Sequence, residues 1–293
     1  MSASGRMSWI AAAMVALVAS ALLSCSASES SADDAALVSK VTYGDDPANY
    51  GMLHVPAGLG PFPVVVMVHG GGWIQEHDLS YFEPLSQALA AEGVAVWNIE
   101  YRRVGGAGGW PVTLADADDA TDALTGVVQV AANGRLDLGR VVVAGHSAGG
   151  HLAAWIVGRH TLPADAPGGQ PTVLAKSAVV MAGVFDPALA VLNGHDKFVR
   201  DLIGGPPSEY PARYAVAAPI AHLPIGTKVI AMHGTADTTV DPVQSSSYVQ
   251  AAQEFGDPAE LVLIDGAGHG DFGNVDSDAW REAKRVILNE AWG

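Results

Sequence analysis

Between about Leu37 and Gly293, short runs of β-branched and aliphatic residues alternate with amphipathic stretches of roughly 10–15 residues. Few architectures satisfy that alternation. A strand that must be followed by a helix before the next strand can pair builds a mostly parallel sheet with helices on its faces, so the predicted class is α/β in one domain over 37–293. The buried-strand runs are Pro63–Val68, Val94–Ile99, Val141–Ala144, Ser177–Met181, Lys228–Met232 and Glu260–Ile264, preceded by an antiparallel pair at Lys40–Gly44 and Tyr50–Val55. After Trp110-Pro111 a helix is predicted in which Leu114, Ala117, Ala120, Leu124 and Val127 face the core. Its acidic residues Asp116, Asp118, Asp119 and Asp122 are expected on a solvated face. The stretch 186–224 is too long for a plain crossover and is expected to fold over the sheet as a small cap insertion.

Hydrophobic residues make up 49% of the chain and charged ones only 16%, which excludes a disordered or coiled-coil protein. The net charge of −16 argues against nucleic acid or an anionic membrane surface as partner. Arg6 is the only charge before Glu29, and Trp9–Leu23 is an almost unbroken apolar run of 15 positions, too short to span a bilayer. That is the layout of an export signal. The run ends in Leu22-Leu23-Ser24-Cys25, which resembles the lipobox of bacterial lipoproteins, and Cys25 is the single cysteine. The expected organisation is a signal peptide over 1–24, a lipid anchor on Cys25 and a flexible Ser/Ala/acidic tether over 25–36. The protein is then exported and membrane-anchored through Cys25, or secreted if cleavage falls beyond it.

Three strand ends carry residues suited to chemistry. Val141–Ala144 runs into Gly145-His146-Ser147-Ala148-Gly149 and then into the apolar helix Leu152–Val157, a strand–turn–helix with serine at its apex. Small residues on both sides are required if the serine sits in a strained turn where strand and helix backbones touch. His69-Gly70-Gly71-Gly72-Trp73 follows the most apolar strand, and its bare backbone can aim amides at an oxygen that gains charge in acyl transfer. Lys228–Met232 leads to Asp237, and Glu260–Ile264 leads to His269. The order Ser147, Asp237, His269 suits a nucleophile, an orienting acid and a base. Asp186, Asp241 and Asp265 are the rival acids.

Together, His69–Trp73, Gly145–Gly150, His233–Asp237 and Gly268-His269 resemble the α/β-hydrolase superfamily, in its esterase branch with an HGGG oxyanion loop. The likeness covers about Leu37 to the C-terminus and implies oxyanion donation from the amides of Gly71, Gly72 and Ala148. Asn98–Arg103, the Gly-rich segment after it and Trp110-Pro111 resemble the feruloyl-esterase-like and kynurenine-formamidase-like subgroup. Tyr101-Arg102-Arg103-Val104-Gly105 departs from the Tyr-Arg-Leu-Ala-Pro of the hormone-sensitive-lipase group. The implied function is hydrolysis of short-chain or aryl carboxylic esters through an acyl-enzyme, without cofactor; the partner is a small ester or amide. Alternatives are a formamidase-type amide hydrolase and a catalytically silent envelope-binding protein on the same scaffold. Trp73, Tyr101 and Trp110 are candidate pocket residues, and Trp155 a core residue. His146, His151 and His233 are expected to pack or hydrogen-bond beneath the site, and His69 resembles the family's loop-bracing histidine. No HExxH or other ligand spacing calls for a metal.

Overall fold

The computed structural model describes residues 35–194 and 197–293. The expected signal peptide, Cys25 and residues 25–34 of the tether lie outside the described residues. Among the described residues, eight strands form one sheet: β1 (Leu37–Thr42), β2 (Tyr50–Val55), β3 (Phe62–Val68), β4 (Ala95–Ile99), β5 (Leu136–His146), β6 (Ser177–Met181), β7 (Lys228–Gly234) and β8 (Ala259–Ile264). Their spatial order is β1-β2-β4-β3-β5-β6-β7-β8. β1–β2 and β2–β4 pair antiparallel, and every other neighbour is parallel.

The helices are α1 (Glu83–Ala90), α2 (Val112–Asp122), α3 (Val127–Ala131), α4 (Ala148–Gly158), α5 (Pro187–Leu192), α6 (Lys197–Ile203), α7 (Pro211–Ala217), α8 (Val243–Glu254) and α9 (Asp278–Trp292). Successive side chains of the buried β3 feed opposite faces, as strand geometry requires. Val64, Val66 and Val68 join a core with α2, α4 and α8, whereas Val65 and Met67 join one with α1 and α9. The segment 186–224 folds into α5, α6, α7 and a 3₁₀ turn at Pro219–His222.

Several sequence expectations shift. β1 begins at Leu37 rather than Lys40, because Leu37 pairs with Val55 and Thr42 with Tyr50, after which the chain turns back and Tyr43 N donates to Asn49 O at 2.9 Å. β5 begins five residues before the expected Val141: Phe62 and Pro63 pair with Leu136 and Asp137 before the register slips between Pro63 and Val64. α4 begins at Ala148 rather than Leu152, directly after Ser147.

The predicted single helix after Pro111 breaks at Gly126, whose backbone (φ −123°, ψ −108°) is not helical. The break rephases the following turn, so Val128 is buried and Val127 is 49% exposed. The acidic run is not a solvated face either. Asp116 is buried and accepts from the Arg102 amide and, at 2.8 and 2.6 Å, from its guanidinium. Asp118 and Asp122 each approach the buried Arg159 guanidinium to 2.5 Å, and Asp122 also accepts from the amides of Thr172 and Val173. Only Asp119 of the four is exposed. The cause is a partner far away in sequence: the buried Arg159 guanidinium is charge-matched by carboxylates that α2 presents.

Asp122→Ala removes one carboxylate from Arg159 and two amide acceptors at once. It is expected to destabilise the domain by about 3–5 kcal/mol in urea denaturation, against less than about 1 kcal/mol for the exposed Asp119→Ala.

Candidate active site

Ser147 stands between the last residue of β5 and the first of α4 with φ 57° and ψ −120°, a conformation that L residues rarely adopt. Its amide donates to Met181 O at 2.9 Å, and its carbonyl accepts from His151 N at 3.0 Å. The backbones cross here at contact distance. A Cβ on Gly145 would lie 2.1 Å from Gly149 O, and one on Gly149 would lie 2.0 Å from Val68 O. Hence the glycines: any side chain would push α4 away from the ends of β3 and β5.

Two loops that follow parallel strands converge on this serine. Ser147 Oγ lies 2.8 Å from His269 Nε2, and His269 Nδ1 lies 2.8 Å from Asp237 Oδ2. With the Nδ1 proton donated to the carboxylate, Nε2 is left as acceptor for the serine hydroxyl. Asp237 is 8% exposed, and its Oδ1 accepts from the amides of Thr239 and Val240. Burial by itself favours the neutral acid. Hydrogen bonds from His233, His269 and the Val240 amide outweigh it and hold Asp237 well below the ordinary carboxylate range.

The rival acids are engaged elsewhere. Asp186 caps α5 by accepting from Leu189 N, Asp241 accepts from Val243 N, and Asp265 accepts from the Thr235 hydroxyl.

The glycine loop after β3 borders the same space. Gly71 (φ 100°) and Gly72 (φ 64°) both take conformations that favour glycine. Gly70 N donates to the Tyr81 hydroxyl, whereas among the described residues the amides of Gly71, Gly72 and Ala148 have no acceptor. All three residues line a cleft of about 440 Å³ that also contains Ser147 and His269. Its apolar wall is made by Ile74, Val184, Phe198, Val199 and Val240. Phe198 and Val199 come from α6, within the 186–224 segment.

The three candidate pocket aromatics separate. Trp73 lines the cleft, 3% exposed and edge-on to His151. Tyr101 and Trp110 do not. Tyr101 is fully buried, donates to His69 O at 2.7 Å and stacks on the His69 ring. Trp110 packs against the core, with its amide donating to Leu202 O.

His146 both lines the cleft and, through Nε2, donates to His269 O at 2.9 Å; burial and then the neighbouring His269 push its pKa down to about 3. His151 donates to Ala217 O, and burial pushes it down to about 4. His233 is held by Ser245 Oγ and Val240 O. Among the described residues no cluster of three or more His, Cys, Asp or Glu is placed to hold a metal ion.

Sequence reasoning missed Tyr81, Val184, Phe198, Val199 and Val240, which reach the cleft from a 3₁₀ turn, loops and α6 without any motif to mark them. Glu100 was visible only as part of a resemblance. It is buried beside His69, with 2.9 Å between His69 Nε2 and Glu100 Oε1.

The depressed Asp237 pKa fixes a stability sign. The folded state resists protonating this group, so its contribution is complete above the unfolded carboxylate range and is lost as pH falls below it. Asp237→Asn should be less stable than wild type near neutrality. Between about pH 5 and pH 3 its midpoint should fall less than that of wild type in thermal or urea unfolding.

The BD-FAE family model matches residues 53–251. The chain is 27% identical over 266 residues to the protein named "Probable isoprenylcysteine alpha-carbonyl methylesterase ICMEL1" of Oryza sativa subsp. japonica, covering 85% of this chain and 60% of that one. It is also 27% identical over 244 residues to esterase LipC of Mycobacterium tuberculosis, covering 79% and 59% respectively. This chain therefore spans about 60% of the length of these curated relatives. A propionate-bound esterase, Est2 of Thermogutta terrifontis, superposes with a TM-score of 0.68 at 26% identity over 88% of this chain and 94% of that chain. A truncated carbohydrate esterase from gut microbiota shares the fold, with a TM-score of 0.73 at 20% identity over 89% and 99% of the two chains. With the family model covering more than half of its length and an esterase structure superposing over 88% of it, the chain belongs to the BD-FAE family, on an α/β-hydrolase fold.

Proposed function

We propose that this protein hydrolyses carboxylic esters by serine acyl transfer. The observation that carries the reading is the hydrogen-bonded line Ser147–His269–Asp237, which opens into a cleft beside three amides without acceptors. Ser147 Oγ attacks the ester carbonyl carbon while His269 Nε2 takes its proton. The carbonyl oxygen becomes an oxyanion and accepts from Gly71, Gly72 and Ala148. As the tetrahedral species collapses, His269 returns the proton to the departing alkoxide oxygen, which leaves as alcohol. Water then repeats the sequence on the acyl-serine and releases the acid. Asp237 holds the imidazole in the required tautomer and stabilises its cationic form.

The apolar wall suits a short acyl chain or an aryl group, as in the feruloyl-esterase-like subgroup, and both the family match and the esterase names of the relatives support ester cleavage. Purified domain is expected to turn over p-nitrophenyl acetate and to prefer esters to formamides. Ser147→Ala should abolish turnover. Asp237→Asn should lower kcat by about 10³–10⁴, while Asp186→Asn, Asp241→Asn and Asp265→Asn leave it within about threefold. Folded wild type without esterase activity would favour the silent binding protein, and faster formamide turnover would favour the formamidase reading.

Export and anchoring are proposed on the Trp9–Leu23 run and Cys25. In cells expressing the full chain, radiolabelled palmitate should enter wild type and not Cys25→Ser. Equal labelling of the two, or none, would remove the anchor.

A further inference from the structure

Behind the glycine loop lies a buried charge cluster whose hydrogen bonds do not balance with an ordinary neutral histidine. His69 is fully buried at the end of β3. Its Nδ1 is 2.9 Å from Gly70 O, which can only accept, and its Nε2 is 2.9 Å from Glu100 Oε1. Against an ionised Glu100, either neutral tautomer would leave a ring lone pair facing an oxygen lone pair.

Moving the proton onto Glu100 would balance the ring but would set a neutral acid among donors that favour a charged one. Oε1 also accepts from Tyr101 N at 2.9 Å, Oε2 accepts from Leu79 N at 3.1 Å, and Arg103 Nη1 reaches the carboxylate at 3.2 Å. Two amides and a guanidinium aimed at this group favour the carboxylate over the neutral acid. A second observation agrees: the Tyr101 ring stacks on the His69 ring with centroids 4.4 Å apart and planes 11° from parallel, a contact that favours a cation. The other titratable ring facing His69 is Tyr81, edge-on at 6.2 Å. Arg103 shares the same carboxylate, leaving His69, Glu100 and Arg103 at +1, and the Asp78 carboxylate, held low by its Ser80 hydrogen bonds and in part by Arg103 and His69, lies near enough to oppose that charge.

We infer that Glu100 is a positioning residue for the oxyanion loop and acts through a His69 that is protonated on both ring nitrogens. The inference rests on the esterase reading. The doubly protonated ring holds the Gly70 carbonyl on one side, while the Tyr81 oxygen holds the Gly70 amide on the other. With the Gly70 peptide groups committed, the next two amides, of Gly71 and Gly72, are the ones left to turn toward the cleft. A Cβ on Gly70 would lie 3.0 Å from Ser147 Cβ, so a shift of this loop moves the donors relative to the reacting carbon.

The test has two arms. In wild type with ¹⁵N-labelled histidine, nitrogen NMR near pH 8, where free histidine is neutral, should show one imidazolium bearing two protons that is absent in His69→Gln. A singly protonated His69 in folded wild type overturns the inference whatever the variants do. In the second arm, Glu100→Gln should lower kcat for p-nitrophenyl acetate by about 10–100-fold with KM within about twofold. It should weaken inhibition by an aryl trifluoromethyl ketone, which presents an oxyanion to the same amides, by a similar factor. Unchanged kcat and unchanged ketone affinity in a folded Glu100→Gln protein would also overturn it. If wild type itself shows no Ser147-dependent turnover, the esterase reading fails, and the nitrogen spectrum still decides the state of His69.

Discussion

The structure depends on one backbone crossing. The ends of β3 and β5 and the start of α4 meet with atoms so close that Gly145 and Gly149 have no room for a side chain, and Ser147 is left in a left-handed conformation at the apex. Such a turn is unfavourable in isolation and persists only where the surroundings over-determine it. Here a parallel sheet supplies that determination: β5 is flanked by β3 and β6, and the Ser147 amide is tied to Met181 at the end of β6. Strands that all end on one edge then place their following loops around the serine. The candidate acid and base come after β7 and β8, and the glycine loop comes after β3.

Buried charge organises much of what surrounds this crossing. Arg102 and Asp116 fix α2 to the end of β4, and Arg159 ties the end of α4 to Asp118 and Asp122 of α2. His69, Glu100 and Arg103 join the end of β3 to the end of β4 beneath the glycine loop. A single unpaired charge at any of these places would be costly, so each cluster specifies a particular docking of helix or loop on sheet. Buried Arg135 and Asp257 are satisfied instead by backbone carbonyls and amides.

The legible parts of the sequence were the local ones. The positions of the central strands followed from β-branched runs, because a strand buried on both faces needs apolar residues at every position, whereas β8, read as buried, has no buried residue. The strand–serine–helix turn followed from small residues that flank Ser147, and the loop after β3 from three successive glycines. Asp237 and His269 were legible through their order and through strand ends, and the structure brings both into hydrogen-bonding line with Ser147. The illegible parts were those in which a residue's surroundings come from elsewhere in the chain. Asp116, Asp118 and Asp122 read as a solvated helix face because nothing local marks Arg102 and Arg159 as their partners. Tyr101 read as a pocket aromatic but stacks beneath the loop instead, and Phe198 reached the cleft unannounced from the inserted helices.

By itself, then, the sequence determined the alternation of strands and helices, the tight turn at Ser147 and the identity of the residues at each strand end. All of these arise from backbone preference and periodic burial within a few residues. The tertiary structure decided which carboxylate faces His269, which amides remain without acceptors, which aromatics wall the cleft and which buried charges pair. Each of these is a relation between segments brought together only when the sheet has closed, and no local propensity encodes the distance between them.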